Sequence, residues 1–242
     1  MKILTGLHDL PGNEPTIQTA ELAARLSGAE LVTRQEMRAG RLLVEATKGG
    51  YDLIVMRWTG NARLDQAACI VATRADVSVW VVKGQPNPEA VQRILVCSGG
   101  RPISEQVITT GAWLAGLSDA EVTLLHVSSA VPGMYTGLTA MDGSIEELLS
   151  SNTPAAQNLL NGLAHFRERG IKTVFELRQG SVHEEIVRAV RRVGYDLAVI
   201  GPSAPATTLD NLLNVPVAEK ILRLSPCSVL VARGAPQTVD LR

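Results

Sequence analysis

The chain has 242 residues, and 23 Lys and Arg stand against 24 Asp and Glu, a net charge of −1. Electrostatic capture of a nucleic-acid backbone therefore has no basis in composition, and 45 % apolar but only 3 % aromatic residues suit small-residue helices on a Val/Ile-rich sheet better than a base-stacking surface. No apolar run reaches the roughly 20 residues of a membrane span, and His8, Asp9 and Pro11 interrupt the N-terminus too soon for a signal peptide.

In chain order, Ile3–Gly6 reads as a strand and Pro15–Leu26 as a helix turning Ile17, Ala20, Leu22 and Ala24 inward. Ala29–Met37 is the next strand and Arg41–Lys48 a short helix. Gly50-Tyr51-Asp52-Leu53-Ile54-Val55-Met56 then runs from a Gly into an unbroken apolar segment, the pattern of a parallel strand buried on both faces. A helix near Leu64–Thr73 and a strand Val77–Lys83 follow, and Gly84-Gln85-Pro86-Asn87-Pro88 reads as a linker.

The second half holds a strand Arg93–Cys97, a helix Ser104–Leu117, a strand Glu121–Val127 and a polar loop from Ser128 to about Ser144. Pro154–Arg169 is a helix capped by Thr153, with Pro at its first position. A strand Thr173–Gln179, a helix Val182–Arg192 with Ser181 as cap, the strand Gly194–Ile200, a helix near Leu209–Leu224 and a strand Ser228–Arg233 complete it. Strands alternating with helices imply parallel pairing through right-handed crossovers, an open doubly wound α/β sheet. Cys69, Cys97 and Cys227, odd in number and set among apolar residues, predict buried reduced thiols and a cytoplasmic protein.

The two halves echo each other. Lys2-Ile3-Leu4 matches Arg93-Ile94-Leu95 at an offset of 91, and Arg38-Ala39-Gly40 matches Arg178-Gln179-Gly180 at 140. Gly50-Tyr51-Asp52-Leu53 matches Gly194-Tyr195-Asp196-Leu197 at 144, and Ser78-Val79-Trp80-Val81-Val82-Lys83-Gly84 matches Ser228-Val229-Leu230-Val231-Ala232-Arg233-Gly234 at 150. The rising offset predicts two homologous units, residues 1–84 and 91–234, of which the first is a shortened copy. The second strand of the short unit is expected to begin in the register of the long unit's second strand and to end in that of its third.

In a doubly wound sheet ligands sit beyond the C-terminal strand ends, where strand order reverses. That singles out Ser98, Gly99 and Gly100 with Arg101, His126 and Val127, and Gly201 and Ser203. Glycines between a strand and a helix let amides approach an anion, or they serve only a tight turn. His126 reads as a core histidine at a strand end and His183 as a solvated helix residue. No metal-ligand spacing and no nucleophile elbow is present.

The segments around Ile94-Leu95-Val96, Leu124-Leu125-His126-Val127, Tyr195–Gly201 and above all Glu219-Lys220 with Ser225-Pro226-Cys227 resemble the universal stress protein family. The resemblance implies a flavodoxin-like, Rossmann-type (HUP) nucleotide-binding fold, dimers that pair through the last strand, and ATP binding in some members only. Members that bind ATP carry an Asp where Gly99 stands, and a loop of Gly, two residues, Gly, nine residues, then Gly with Ser or Thr. Gly201 matches the first position, but Ala204 and Val215-Pro216 stand at the others. In the first unit Arg57 replaces the first Gly, and the loop is six residues short.

The resemblance thus implies a tandem, non-enzymatic stress-response regulator or scaffold without a bound cofactor, its partners being proteins of unknown identity. The alternative is a sensor of ATP or another adenine nucleotide, with the base near Gly99 and Val127 and phosphates near Gly201 and Ser203; a weak ATPase is a third reading. Neither nucleic acid nor a membrane is an expected partner, and further homo-oligomerisation stays open. The last strands Val79–Val82 and Val229–Val231 would be bare apolar edges in isolated units. They are expected to pair with each other, making a dimer-like joint inside one chain.

Overall fold

The computed structural model describes residues 1–7, 12–35, 38–87, 89–99, 104–128, 145–151, 153–202 and 215–233. The first half supplies β1 (Lys2–Gly6), α1 (Glu14–Ser27), β2 (Glu30–Arg34), α2 (Ala39–Lys48), β3 (Leu53–Arg57), α3 (Ala62–Arg74) and β4 (Ser78–Val82). The second supplies β5 (Arg93–Ser98), α4 (Ser104–Ser118), β6 (Glu121–Ser128), α5 (Ile145–Ser150), α6 (Pro154–Glu168), β7 (Thr173–Gln179), α7 (Val182–Val193), β8 (Leu197–Ile200), α8 (Val217–Leu224) and β9 (Ser228–Val231). Among the described residues nine strands form one sheet in the order β2-β1-β3-β4-β9-β8-β5-β6-β7, parallel throughout except between β4 and β9.

Unbroken Val, Ile and Leu runs belong in such strands because both faces are covered. Successive residues of β3 alternate between layers: Ile54 and Met56 pack with α2, α3, α7 and α8, Leu53 and Val55 with α1, α4 and α6. Each layer runs through both halves without interruption.

The repeated offsets reappear as strand registers. Lys2 pairs with Glu30 as Arg93 pairs with Glu121. Ile3 pairs with Leu53 as Ile94 pairs with Leu197, and Leu53 with Ser78 as Leu197 with Ser228. The repeated Gly-Tyr-Asp has a mechanical reason. Gly50 and Gly194 take φ of 63° and 73°, left-handed values that end the preceding helix. The Asp that follows then fastens the neighbouring strand: Asp52 Oδ2 accepts from the Lys2 amide at 2.7 Å, and Asp196 Oδ2 from the Gln92 and Arg93 amides at 2.9 and 2.8 Å.

Several local expectations are corrected. Among the described residues β2 (Glu30–Arg34) pairs with β1 alone, in the register of β6 on β5, and holds no part of the third-strand position. The Arg38-Ala39-Gly40 echo is not a structural equivalence: Arg38 precedes α2 and Gly40 lies inside it, whereas Arg178 and Gln179 end β7. The inner face of α1 is Thr16, Thr19, Ala20, Leu22 and Ala23, because Thr19 satisfies its hydroxyl on the Pro15 carbonyl at 2.7 Å and can be buried. Ile17 and Ala24 lie only partly within that face. Thr153 caps α6 as expected, but the Ser181 hydroxyl pairs with the His183 ring at 3.0 Å instead of capping α7. The helix drawn from Leu209 begins at Val217 among the described residues, and most of the polar loop after Ser128 lies outside them.

The joint between halves is two-fold. Trp80 faces Leu230, its own counterpart in the repeat, and Val79–Val231 and Val81–Val229 flank that pair symmetrically. The Lys83 amide donates to Ser228 Oγ at 3.1 Å, and the Arg233 amide to Ser78 Oγ at 3.0 Å. Beyond the strands, each half caps a helix of the other. Lys83 Nζ donates to the carbonyls of Leu222 and Ser225, and the Arg233 guanidinium to those of Ala72 and Thr73 at 2.7 and 2.8 Å. A cation at a helix C-terminus satisfies orphan carbonyls and opposes the negative end of the dipole.

Burial lowers the Lys83 amine from the ordinary 10.5 to about 8. Between these values the unfolded chain holds more protons than the folded one, so this group makes stability rise with pH across that window. The thiols of Cys69, Cys97 and Cys227, all raised by burial, act oppositely above about pH 9, since there the folded state keeps the proton. Urea unfolding of the wild type and of Lys83→Met at pH 7.5, 9 and 10.5 (values chosen around that window) isolates the lysine: the wild type is expected to gain stability relative to the variant as pH rises.

Candidate functional site

Strand order reverses at β5, which lies between β8 and β6. At its C-terminal end Ser98 is aligned with His126 of β6, and His126 Nδ1–H donates to the Ser98 carbonyl at 2.9 Å. Both residues are buried, on the side covered by α4 and α6, so His126 is a core histidine as expected, and its ring braces the strand end. Gly201 follows β8 on the other side of β5. A Cβ there would come within 3.3 Å of Val107 Cγ2 on α4. This glycine therefore admits the close approach of a helix, and its φ is not in the left-handed region.

The structure brings Ser98, Gly99 and Gly201 to one rim of the sheet, with Gly99 exposed and Gly201 half-buried. Val127 stands at the same rim, one residue beyond His126, with its side chain turned to the other face. It packs into the core layer of α7 and α8, because residues along β6 alternate faces and His126 already takes the α4 side. Gly100 and Ser203, like Arg101 and Ala204, lie outside the described residues. Pro216 immediately precedes α8, so the helix start that would face a phosphate has no amide at that residue.

The matching rim of the first half is closed by its own loop. Only Trp58–Asn61 separate β3 from α3, and three of their four amides are engaged. Trp58 N donates to the Val82 carbonyl at 2.8 Å, Thr59 N to Asp65 Oδ1 at 2.7 Å, and Asn61 N to Thr59 Oγ1 at 3.0 Å. Asn61 Oδ1 caps α3 by accepting from the Arg63 and Leu64 amides. The Asp65 carboxylate, 4 % exposed, puts negative charge behind that loop. Lys83 Nζ lies 4.5 Å from the Trp58 ring centroid and covers it. Asp65 and Lys83 were not singled out in the sequence. The signal for Lys83 was its retention as a cation, Arg233, in the second copy.

Among the described residues no group of three or more His, Cys, Asp or Glu could hold a metal, and no helix is long and apolar enough to cross a membrane. Residues 90–233 match the family model of the universal stress proteins. The chain belongs to the universal stress protein family. Its fold is shared by a functionally unknown protein from Pseudomonas aeruginosa at 17 % identity and a TM-score of 0.60, covering 96 % of this chain and 81 % of that one. A putative universal stress protein from Pseudomonas aeruginosa gives 16 % and 0.61 with the same coverage. A universal stress protein from Archaeoglobus fulgidus gives 14 % and 0.61, covering 97 % of this chain and 87 % of that one. Among curated proteins none matches it. At these identities the likeness to universal stress proteins is one of fold, and the chemistry has to be read from the residues.

Proposed function

We propose that this chain is a tandem universal stress protein, residues 1–84 a shortened domain and residues 91–234 a complete one, that acts as a non-enzymatic cytoplasmic regulator or scaffold. The first domain serves as the built-in partner of the second, and the ligands of the assembly are proteins. The observation that carries this reading is the engagement of loop amides on the first rim, supported on the second by a proline at the helix start. In the first domain three of the four loop amides are engaged within the protein, and in the second Pro216 stands at the head of α8. A triphosphate needs several converging N–H donors at such a point.

The nucleotide-sensing reading keeps Ser98, Gly99 and Gly201 together on one rim, with Gly100 and Ser203 next to them in the chain, and it is the one to test against. Val127, proposed for the base, stands at the same strand end, one residue beyond His126, with its side chain in the layer of α7 and α8. Calorimetric titration with ATP, ADP and AMP is expected to give no saturable heat up to about 1 mM, a binding free energy weaker than about −4 kcal/mol. Micromolar binding of any of the three overturns the regulator reading in favour of the sensor. Slow hydrolysis would show as released phosphate that disappears in Ser98→Ala.

A further inference from the structure

In the second half β6 lies between β5 and β7, and registered pairs from Val122–Thr173 to Ser128–Gln179 fill its outer side. Val122, Leu124 and Leu125 are buried there. β2 sits on β1 as β6 sits on β5, yet it ends the sheet among the described residues, and none of its five residues is buried. Residues 35–38 alone join β2 to α2, far fewer than the roughly 12 that a crossover to a further parallel strand needs. Shortening the first half has therefore left a strand position open. Glu30 N donates to the Met1 carbonyl at 3.1 Å, and the Arg34 carbonyl accepts from Leu7 N at 2.8 Å, so Glu30, Val32 and Arg34 turn their backbone groups toward β1. Alternation directs the N–H and C=O of Leu31 and Thr33 outward, and such an edge invites another strand.

We infer that the occupant is β2 of a second copy of this chain, paired antiparallel about Val32. The strand Glu30-Leu31-Val32-Thr33-Arg34 is complementary to itself in that register. Glu30 meets the partner's Arg34 and Arg34 the partner's Glu30, so both end pairs are of opposite charge. Leu31 and Thr33, with outward backbone groups, become the hydrogen-bonded pairs, and Val32 meets the partner's Val32 on the two-fold axis as a non-hydrogen-bonded pair. Shifting the register while keeping outward groups opposite one another leaves residues unpaired and separates the charges. Glu30, Val32 and Arg34 share the face that carries α2, where Glu45 holds Arg34 at 3.2 Å. Val44, next to Glu45, is 53 % exposed and adds apolar surface on that face. The molecule already uses the same device internally, where β4 meets β9 antiparallel about Trp80 and Leu230. An edge of five residues is smaller than a standard interface, so dissociation is expected on the order of 50 µM. This contact is independent of what either rim binds.

Sedimentation equilibrium of the full chain from about 1 to about 500 µM tests the pairing, and the wild type is expected to pass from monomer to dimer. Glu30→Arg and Arg34→Glu each set like charges opposite one another at both ends of the pair, and each is expected to weaken association at least about tenfold. An equimolar mixture of these two variants is expected to associate again, because every end pair then sets arginine against glutamate. Thr33→Pro removes an outward N–H that β1 does not use; it is expected to abolish the dimer and to shift Tm by only a few degrees. A wild type that stays monomeric throughout overturns the dimer and leaves the edge to a strand of another protein. Association that survives Thr33→Pro or either charge reversal, or a mixture that fails to associate, shows that copies meet elsewhere and equally overturns it.

Discussion

Trp80→Ala is expected to destabilise the entire chain by about 3–5 kcal/mol, the range for emptying a large buried aromatic site. Trp80 lies at the centre of the two-fold joint, 3 % exposed and opposite Leu230, in a layer that also contains Val82, Val96 and Val199. Because that layer is continuous between halves, both are expected to unfold in one transition. Denaturant unfolding followed by far-ultraviolet circular dichroism measures this without relying on tryptophan emission, which Trp58 and Trp113 would confuse. Trp80→Phe is the control. It keeps most of the apolar volume and removes an indole N–H that has no partner, so its cost should stay below about 1.5 kcal/mol. Two separated transitions in Trp80→Ala would mean that each half is stable alone and that the joint adds little.

Arg233→Ala and Lys83→Ala are expected to cost about 2–3 kcal/mol each, the value of hydrogen bonds from a charged group to carbonyls that would otherwise be orphaned. Arg233 holds the Ala72 and Thr73 carbonyls and Lys83 those of Leu222 and Ser225, so different helices lose their caps. The double variant should then lose close to the sum. Arg233→Lys is the informative exchange, because the equivalent position already uses a lysine for the same task. It is expected to retain more than half of the stabilisation. Equal losses in Arg233→Lys and Arg233→Ala would show that the guanidinium fork, and not the cation at the helix end, is what matters.

Much of the architecture was legible because it rests on short-range pattern. Apolar runs located the strands, and the stepwise-rising offsets that relate Lys2 to Arg93, Leu53 to Leu197 and Ser78 to Ser228 carried over into paired registers. The joint followed from a general liability, two bare apolar edges in one molecule. Less was legible where partners are distant in sequence. Lys83 and Leu222 are 139 residues apart, and Arg233 and Ala72 are 161 apart, so no local window could pair them. The short α5 carries too few turns to show a period. At the rims, glycine was readable as a position and not as a purpose: Gly201 serves the approach of Val107, which only packing reveals.

The antiparallel contact of β4 with β9, amid strands that otherwise run parallel, sets the two halves head to tail. The carboxyl ends of β1, β3 and β4 therefore open toward one pole of the molecule, and those of β5, β6 and β8 toward the other. Access to one carboxyl rim is therefore independent of access to the other.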